Sequence, residues 1–186
     1  MNQVFKRLFI AIPLPEEMIR AFSGYEKEFP DLPHARWVPS ENFHITVYFI
    51  GWIDEKNLPE IISRTKELAL SIKSFPLKFE EIIWAPPDKI TRMIWALFER
   101  SSDFENLVEK VDKSLKKFLS RDTTKESIPH VTLVRFDSSA SWRDVKVKQP
   151  ELGNKTFKVD QIKLMVSRLF KTGPIYSEVT SFYLTN

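Results

Sequence analysis

The sequence predicts an α+β fold: antiparallel sheets with helices on their outer faces, forming two lobes of one domain over residues 1–186. Three observations predict it. Strand-like and helix-like stretches follow one another in the order β-α-β-α-β-β-α-β-β-β. No linker or low-complexity run divides the chain. Two strands whose histidines lie 86 residues apart carry the same histidine–threonine pattern, which hints at pseudo-symmetric lobes.

Each element has its own signal. Val4–Ile12 is an apolar run closed by Pro13 and Pro15, hence a buried first strand. Pro15 opens a helix to about Phe29, with Glu16 and Glu17 in the first turn, where the helix dipole favours acids. Phe29–Asn42 holds three prolines and reads as a loop with a short extended piece. Phe43–Ile50 is a strand stopped by Gly51. Asp54 is placed to cap a helix to about Ile72. Phe75–Trp84 and Arg92–Glu99 read as strands. Ser102 and Glu105 match the S-x-x-E capping box of a helix to about Leu119. Ile128–Phe136 is a strand, and Thr156–Phe170 and Ile175–Leu184 read as two long ones around the turn Lys171–Pro174. A short helix is weakly signalled between Trp142 and Lys148.

Composition narrows the function. The residues are 42% hydrophobic and include 15 phenylalanines, which predicts an aromatic-rich core. The formal charge is +3. That suits a phosphate-bearing ligand but is modest for a protein tracking a long nucleic acid by charge alone. With no cysteine, thiolate chemistry, Cys-ligated zinc and iron–sulfur clusters are excluded. A reducing cytoplasm is the expected setting. The apolar run near the N-terminus is too short for a signal or a membrane span, so no membrane association is expected. The four glycines form no G-x-x-x-x-G-K-S/T phosphate loop, and neither K-x-D-G nor H-E-x-x-H occurs. No metal or other cofactor is expected.

The strongest signal is the pair His44-Ile45-Thr46-Val47 and His130-Val131-Thr132-Leu133. Residues two apart on a strand share a face, so each strand would bury its aliphatic side and present an imidazole beside a hydroxyl. Two of the three histidines meet this pattern, whereas composition gives each a chance of roughly 1%. The bland alternative is two ordinary sheet histidines with threonine as a β-former. The pair has a chemical use, however. Imidazole titrates near neutrality. Two of them flanking one phosphorus can divide the labour, one taking a proton from the attacking oxygen and the other giving one to the departing oxygen. The threonine hydroxyls can donate to non-bridging phosphoryl oxygens.

With these motifs the chain resembles the two-histidine phosphoesterases, and within them the RNA 2′,3′-cyclic phosphodiesterases, long called 2′-5′ RNA ligases. The resemblance extends over Arg7–Glu17, Ala35–Gly51, Pro129–Phe136 and Val166–Tyr176. It implies a bilobal fold around a central cleft. It also implies hydrolysis of a terminal 2′,3′-cyclic phosphate to a 2′-phosphomonoester, with reversible ATP-independent 2′-5′ ligation as a companion activity. By the same resemblance His44 would be the proton donor, His130 the acceptor, and Thr46 and Thr132 the phosphate ligands. The implied partners are RNA ends bearing 2′,3′-cyclic phosphate, tRNA fragments and nucleotides among them, with no obligate protein partner. A relative that binds RNA or a nucleotide without turnover is the alternative.

Further residues qualify by type and place. Relatives often carry Lys where this chain has Tyr48, whose parity matches His44 and Thr46, so it is a candidate to face the cleft, with an edge aromatic on the sheet as the alternative. Arg135 matches an arginine common after the second motif, but its parity is opposite to His130. It reaches the phosphate only if the strand bulges or ends. Arg36 and Trp37 are candidates to clamp a nucleotide by charge and stacking, the alternative being that Trp37 packs the loop onto the body. Resemblance alone suggests Arg168. His34 reads as a loop residue, and the basic run Lys116–Lys125 as a solvated helix end before an RNA contact.

Overall fold

Strands from both ends of the chain share one sheet, and all but one of the strands between them build the other. The computed structural model describes residues 4–28, 35–87, 91–119, 128–136, 147–153, 155–170 and 173–186. The strands are β1 (Phe5–Pro13), β2 (Ala35–Trp37), β3 (His44–Asp54), β4 (Phe75–Ala85), β5 (Met93–Phe98), β6 (His130–Phe136), β7 (Thr156–Val159), β8 (Gln161–Phe170) and β9 (Gly173–Tyr183). The α-helices are α1 (Glu16–Ser23), α2 (Leu58–Ala69) and α3 (Ser102–Leu115). One sheet has the order β3-β1-β8-β9 and the other β2-β6-β5-β4-β7, antiparallel throughout. The α+β architecture is the one expected.

The two sheets are not sequence halves. The chain changes sheet after α1, after β2, after α2 and after β7. The stretch Thr156–Phe170, expected as one strand, is therefore two, β7 and β8, in different sheets. The cause is visible in the residues. Apolar positions sit at 157 and 159, then at 162, 164 and 166, so parity reverses across the polar pair Asp160-Gln161. A strand that keeps one face buried cannot continue through such a reversal in one sheet.

Helices cover the face of each sheet turned away from the other. Phe104, Leu107, Val111 and Leu115 of α3, with Ile61 and Leu68 of α2, are buried in one core with Leu8, Ile10, Ile12 and Leu164 of the four-stranded sheet. On the five-stranded sheet, Phe22 of α1 meets Phe79 at 5.5 Å, and Phe79 meets Phe98 at 5.9 Å. Each such side chain contributes about 1.5–3 kcal/mol on burial.

Helix starts differ in detail from expectation. Asp54 accepts from Lys56 N, but it caps a 3-10 turn (Glu55–Asn57), and α2 begins after it at Leu58. The α1 helix ends at Ser23 and continues to Glu28 as a 3-10 turn. The cap of α3 is Ser101, not Ser102: Ser101 is still extended, and its Oγ accepts from Phe104 N at 3.1 Å. This register puts Phe104 in the core. We expect Ser101→Ala to lower stability by about 1 kcal/mol in urea unfolding, with Ser102→Ala near neutral. Gly51 does not stop β3. It takes φ 90° beside a register shift, where glycine carries no steric cost, and the strand runs on to Asp54. Among the described residues no helix is long and apolar enough to cross a membrane. The weakly signalled helix at Trp142–Lys148 falls largely outside them.

Candidate active site

The two histidine strands have the same local build. From His44 to Ile50 and from His130 to Phe136 the burial pattern is identical: half-buried, buried, half-buried, buried, buried, exposed, buried. Both strands carry a β-bulge at the same place. On β3, Thr46 pairs with Ala11 and Tyr48 with Ile10, so Val47 is the extra residue of the bulge. On β6, Thr132 pairs with Trp95 and Val134 with Ile94, so Leu133 is the extra residue there. A bulge of one residue reverses the parity of everything after it. The face shown by His44 and Thr46 is thus continued by Phe49, and that of His130 and Thr132 by Arg135. The strands β3 and β6 pass close to each other where the sheets meet.

Each imidazole is held by the same device. His44 Nδ1 lies 2.7 Å from Asn42 O, and His130 Nδ1 lies 2.7 Å from Ile128 O. A carbonyl only accepts, so Nδ1 carries the proton in both neutral rings and Nε2 is left as the reactive nitrogen. His44 Nε2 lies 3.1 Å from Thr46 Oγ1. Aromatic rings enclose both. Phe9 and Tyr176 approach His44 at 5.0 and 5.1 Å, and Trp95 stacks on His130 at 3.8 Å. Burial therefore pushes both imidazoles below their ordinary pKa, His130 to about 4. The bonds to the carbonyls of Asn42 and Ile128 oppose this. The positive charge of Arg135 lowers both rings further, and His44 lowers His130. With β3 and β6 in contact where the sheets meet, the same guanidinium lies near imidazoles of both sheets.

Other candidates divide by face. Arg135 joins His130 through the bulge, which meets the condition its parity set. Its Nη1 donates to Met93 Sδ at 3.3 Å. Arg36 pairs directly opposite Arg135 on β2, so it lies on the same face. Adjacent like charges are unfavourable in a sheet and favour an anion between them. Trp37, one residue on, turns to the other side, where its ring meets Tyr25 at 6.3 Å. It packs on the core rather than facing the histidines. Tyr48 is also not beside His44. The bulge turns it inward, where it is 7% exposed and its hydroxyl donates to Asp112 Oδ1 at 2.6 Å. We expect Tyr48→Phe to cost stability by about 1–2 kcal/mol and to leave turnover within about twofold, measured by urea unfolding and an activity assay.

Arg168 is likewise turned away. Ser167 pairs with Tyr176, which touches His44, so Arg168 and its partner Ile175 occupy the opposite face. His34 lies outside the described residues, as does Ser120–Lys125 of the basic run. In the described part of that run, Lys117 is paired with Glu60. Sequence reading missed Phe9, Phe49, Trp95 and Tyr176. Phe9, Trp95 and Tyr176 come from other strands and Phe49 through the bulge of β3, and no local motif marks them. Among the described residues, no group of three His, Cys, Asp or Glu side chains is arranged to hold a metal ion.

The two antiparallel sheets thus each bring one H-x-T-x strand to where β3 and β6 meet. Comparison with known proteins identifies the family. Residues 12–95 match the model of the LigT-like phosphoesterases. An RNA 2′,3′-cyclic phosphodiesterase of Methanocaldococcus jannaschii is 30% identical over 176 residues, covering 93% of this chain and 98% of that one. One from Aquifex aeolicus is 28% identical over 192 aligned positions, covering 90% and 98%. The crystal structure of TT0787 of Thermus thermophilus superposes with a TM-score of 0.82 at 26% identity, covering 96% and 97% of the two chains. E. coli LigT, crystallised with 3′-AMP, has the same fold at TM-score 0.81 and 19% identity, covering 98% and 100%. The chain belongs to the LigT-like phosphoesterase family.

Proposed function

We propose that this protein hydrolyses RNA ends bearing a 2′,3′-cyclic phosphate to 2′-phosphomonoesters by acid–base catalysis between His44 and His130. The observation that carries the reading is the matched anchoring of the two rings. Each Nδ1–H is tied to a carbonyl two residues back, so each Nε2 serves the face shared with a threonine and with Arg135. The names of the relatives from Methanocaldococcus jannaschii and Aquifex aeolicus support the substrate class.

In the step, His130 Nε2 takes a proton from water as its oxygen attacks phosphorus. The bond from phosphorus to the 3′ oxygen breaks, and His44 Nε2–H protonates that oxygen. The product carries a 2′-phosphate and a 3′ hydroxyl. Thr46 and Thr132 donate to the non-bridging oxygens, and Arg135 and Arg36 balance their charge. Proton transfer and charge are both supplied by side chains, so the route needs neither metal nor nucleotide triphosphate. With an RNA 5′ hydroxyl in place of water, the same geometry joins two ends by a 2′-5′ linkage, reversibly.

The test is a short RNA ending in a 2′,3′-cyclic phosphate, incubated with protein in EDTA. The 2′-phosphate is the expected product. A 3′-phosphate product would reverse the roles of the two histidines, and tight binding without conversion would make the protein a binding module.

A further inference from the structure

The face that carries His44 does not end at the catalytic strand pair. Cross-strand pairing sets Phe9 opposite Phe49 and then Arg7 opposite Trp52, with Phe5 one step beyond on the same side of β1. Successive steps of two residues are about 7 Å apart. Phe9 is sealed beneath the rings of His44 and Tyr176, but the rest of the row opens to solvent. Phe49 is 49% exposed, Phe5 51% and Trp52 54%. Leu169, 58% exposed, continues the same face on β8 beyond Ser167. Arg7 lies within the row, its guanidinium 5.6 Å from the Phe49 ring centroid and its Nη1 3.2 Å from Ser167 Oγ. The carboxylate of Asp54, opposite Phe5, is engaged by Lys56.

Large aromatic side chains in a line on an open sheet face are a liability unless something covers them. We propose that they are a stacking platform for the single-stranded RNA that precedes the cyclic end, with Phe49, Trp52 and Phe5 receiving successive bases and Arg7 a backbone phosphate. The inference rests on the phosphodiesterase reading and extends it from the terminal nucleotide to a chain. Two features favour RNA over a protein partner. The row is continuous with the face that holds His44, so a strand whose end is at the histidines must leave along some such path. A cation is set among the rings, which is the composition of sequence-tolerant single-strand binding. The platform therefore favours oligonucleotides over free cyclic nucleotides without selecting their sequence.

The experiment compares kcat/KM for a cyclic 2′,3′-mononucleotide with that for an oligoribonucleotide of about eight residues ending in the same group, in wild type, Trp52→Ala and Trp52→Phe. Trp52 is exposed, and thermal melting checks that the variants remain folded. The expected result is a clear wild-type preference for the oligonucleotide. Trp52→Ala should raise its KM roughly tenfold, while the mononucleotide changes less than about twofold and Trp52→Phe largely restores the difference. Equal effects on both substrates, or none on the oligonucleotide, overturn the platform alone. So does loss of self-association in sedimentation with no kinetic change, since that assigns the face to a second copy of the chain. A wild-type protein that leaves both substrates intact overturns the phosphodiesterase reading and the platform with it.

Discussion

His44→Ala and His130→Ala are each expected to lower kcat on a cyclic-phosphate RNA by about 10²–10⁴, with KM changed far less. The size follows from the proposed step. A water attacking phosphorus must lose a proton, and the 3′ oxygen must gain one as its bond breaks. Without an imidazole in place, solvent has to do the same work at neutral pH. The two losses should not multiply. Both proton transfers belong to one displacement, so once either is missing the other gains little, and the double variant should fall close to the worse single. Folding is a manageable confounder. Neither ring is part of the main hydrophobic core, although His130→Ala uncovers one face of Trp95. His130→Gln keeps part of that cover and should be as inactive as the alanine variant. Retention of more than a tenth of wild-type kcat by either alanine variant would remove that ring from the reaction.

Much of this site was legible in the chain because its chemistry is written in alternation. His44 with Thr46 and His130 with Thr132 needed only the two-residue period of a strand to be placed side by side. What strict alternation could not place has one physical source, the insertion of a bulge. Alternation puts Tyr48 beside His44 and Arg135 away from His130. A single extra residue in each strand does the opposite, sending Tyr48 to Asp112 and Arg135 to the imidazoles. No residue type announces these bulges. Val47-Tyr48 and Leu133-Val134 are ordinary β-formers, and only the doubled burial betrays them. Trp37 and Arg168 were left open for a related reason, since residue type does not say which side of a strand is turned to the site. The break at Asp160 was readable in the parity of its apolar neighbours. That β7 and β8 then join different sheets was not, because it depends on which strands leave an open edge. Phe9, Trp95 and Tyr176 were beyond local reading, since each touches a histidine that is distant in sequence.

The pH dependence follows from the same enclosure. In the free protein both imidazoles sit below 6.5, chiefly because burial disfavours their charged forms, and His130 lies at about 4. In the proposed mechanism the reactive form has His130 neutral and His44 charged. It is populated above the pKa of His130 and below that of His44. The profile of kcat/KM, which reports free enzyme, should be a bell on the acid side of neutrality, with its alkaline midpoint below 6.5. Bound phosphate brings negative charge to both rings and raises them, so the kcat profile should lie at higher pH than that of kcat/KM. Acid stability needs a separate check. A histidine whose folded pKa is depressed binds fewer protons than in the unfolded chain, so stability falls as pH drops from 6.5 toward about 4. Arg135 provides the sharper test, because its charge lowers both rings at once. Arg135→Gln should move both limbs of the kcat/KM bell to higher pH while raising KM for the phosphate-bearing substrate. A residue that only positioned the strand would change the height of the bell and leave its limbs in place. Unmoved limbs in Arg135→Gln would show that the guanidinium does not reach the histidines in solution. An alkaline midpoint above about 7 for wild-type kcat/KM would show that His44 is not enclosed as its neighbours Phe9 and Tyr176 require.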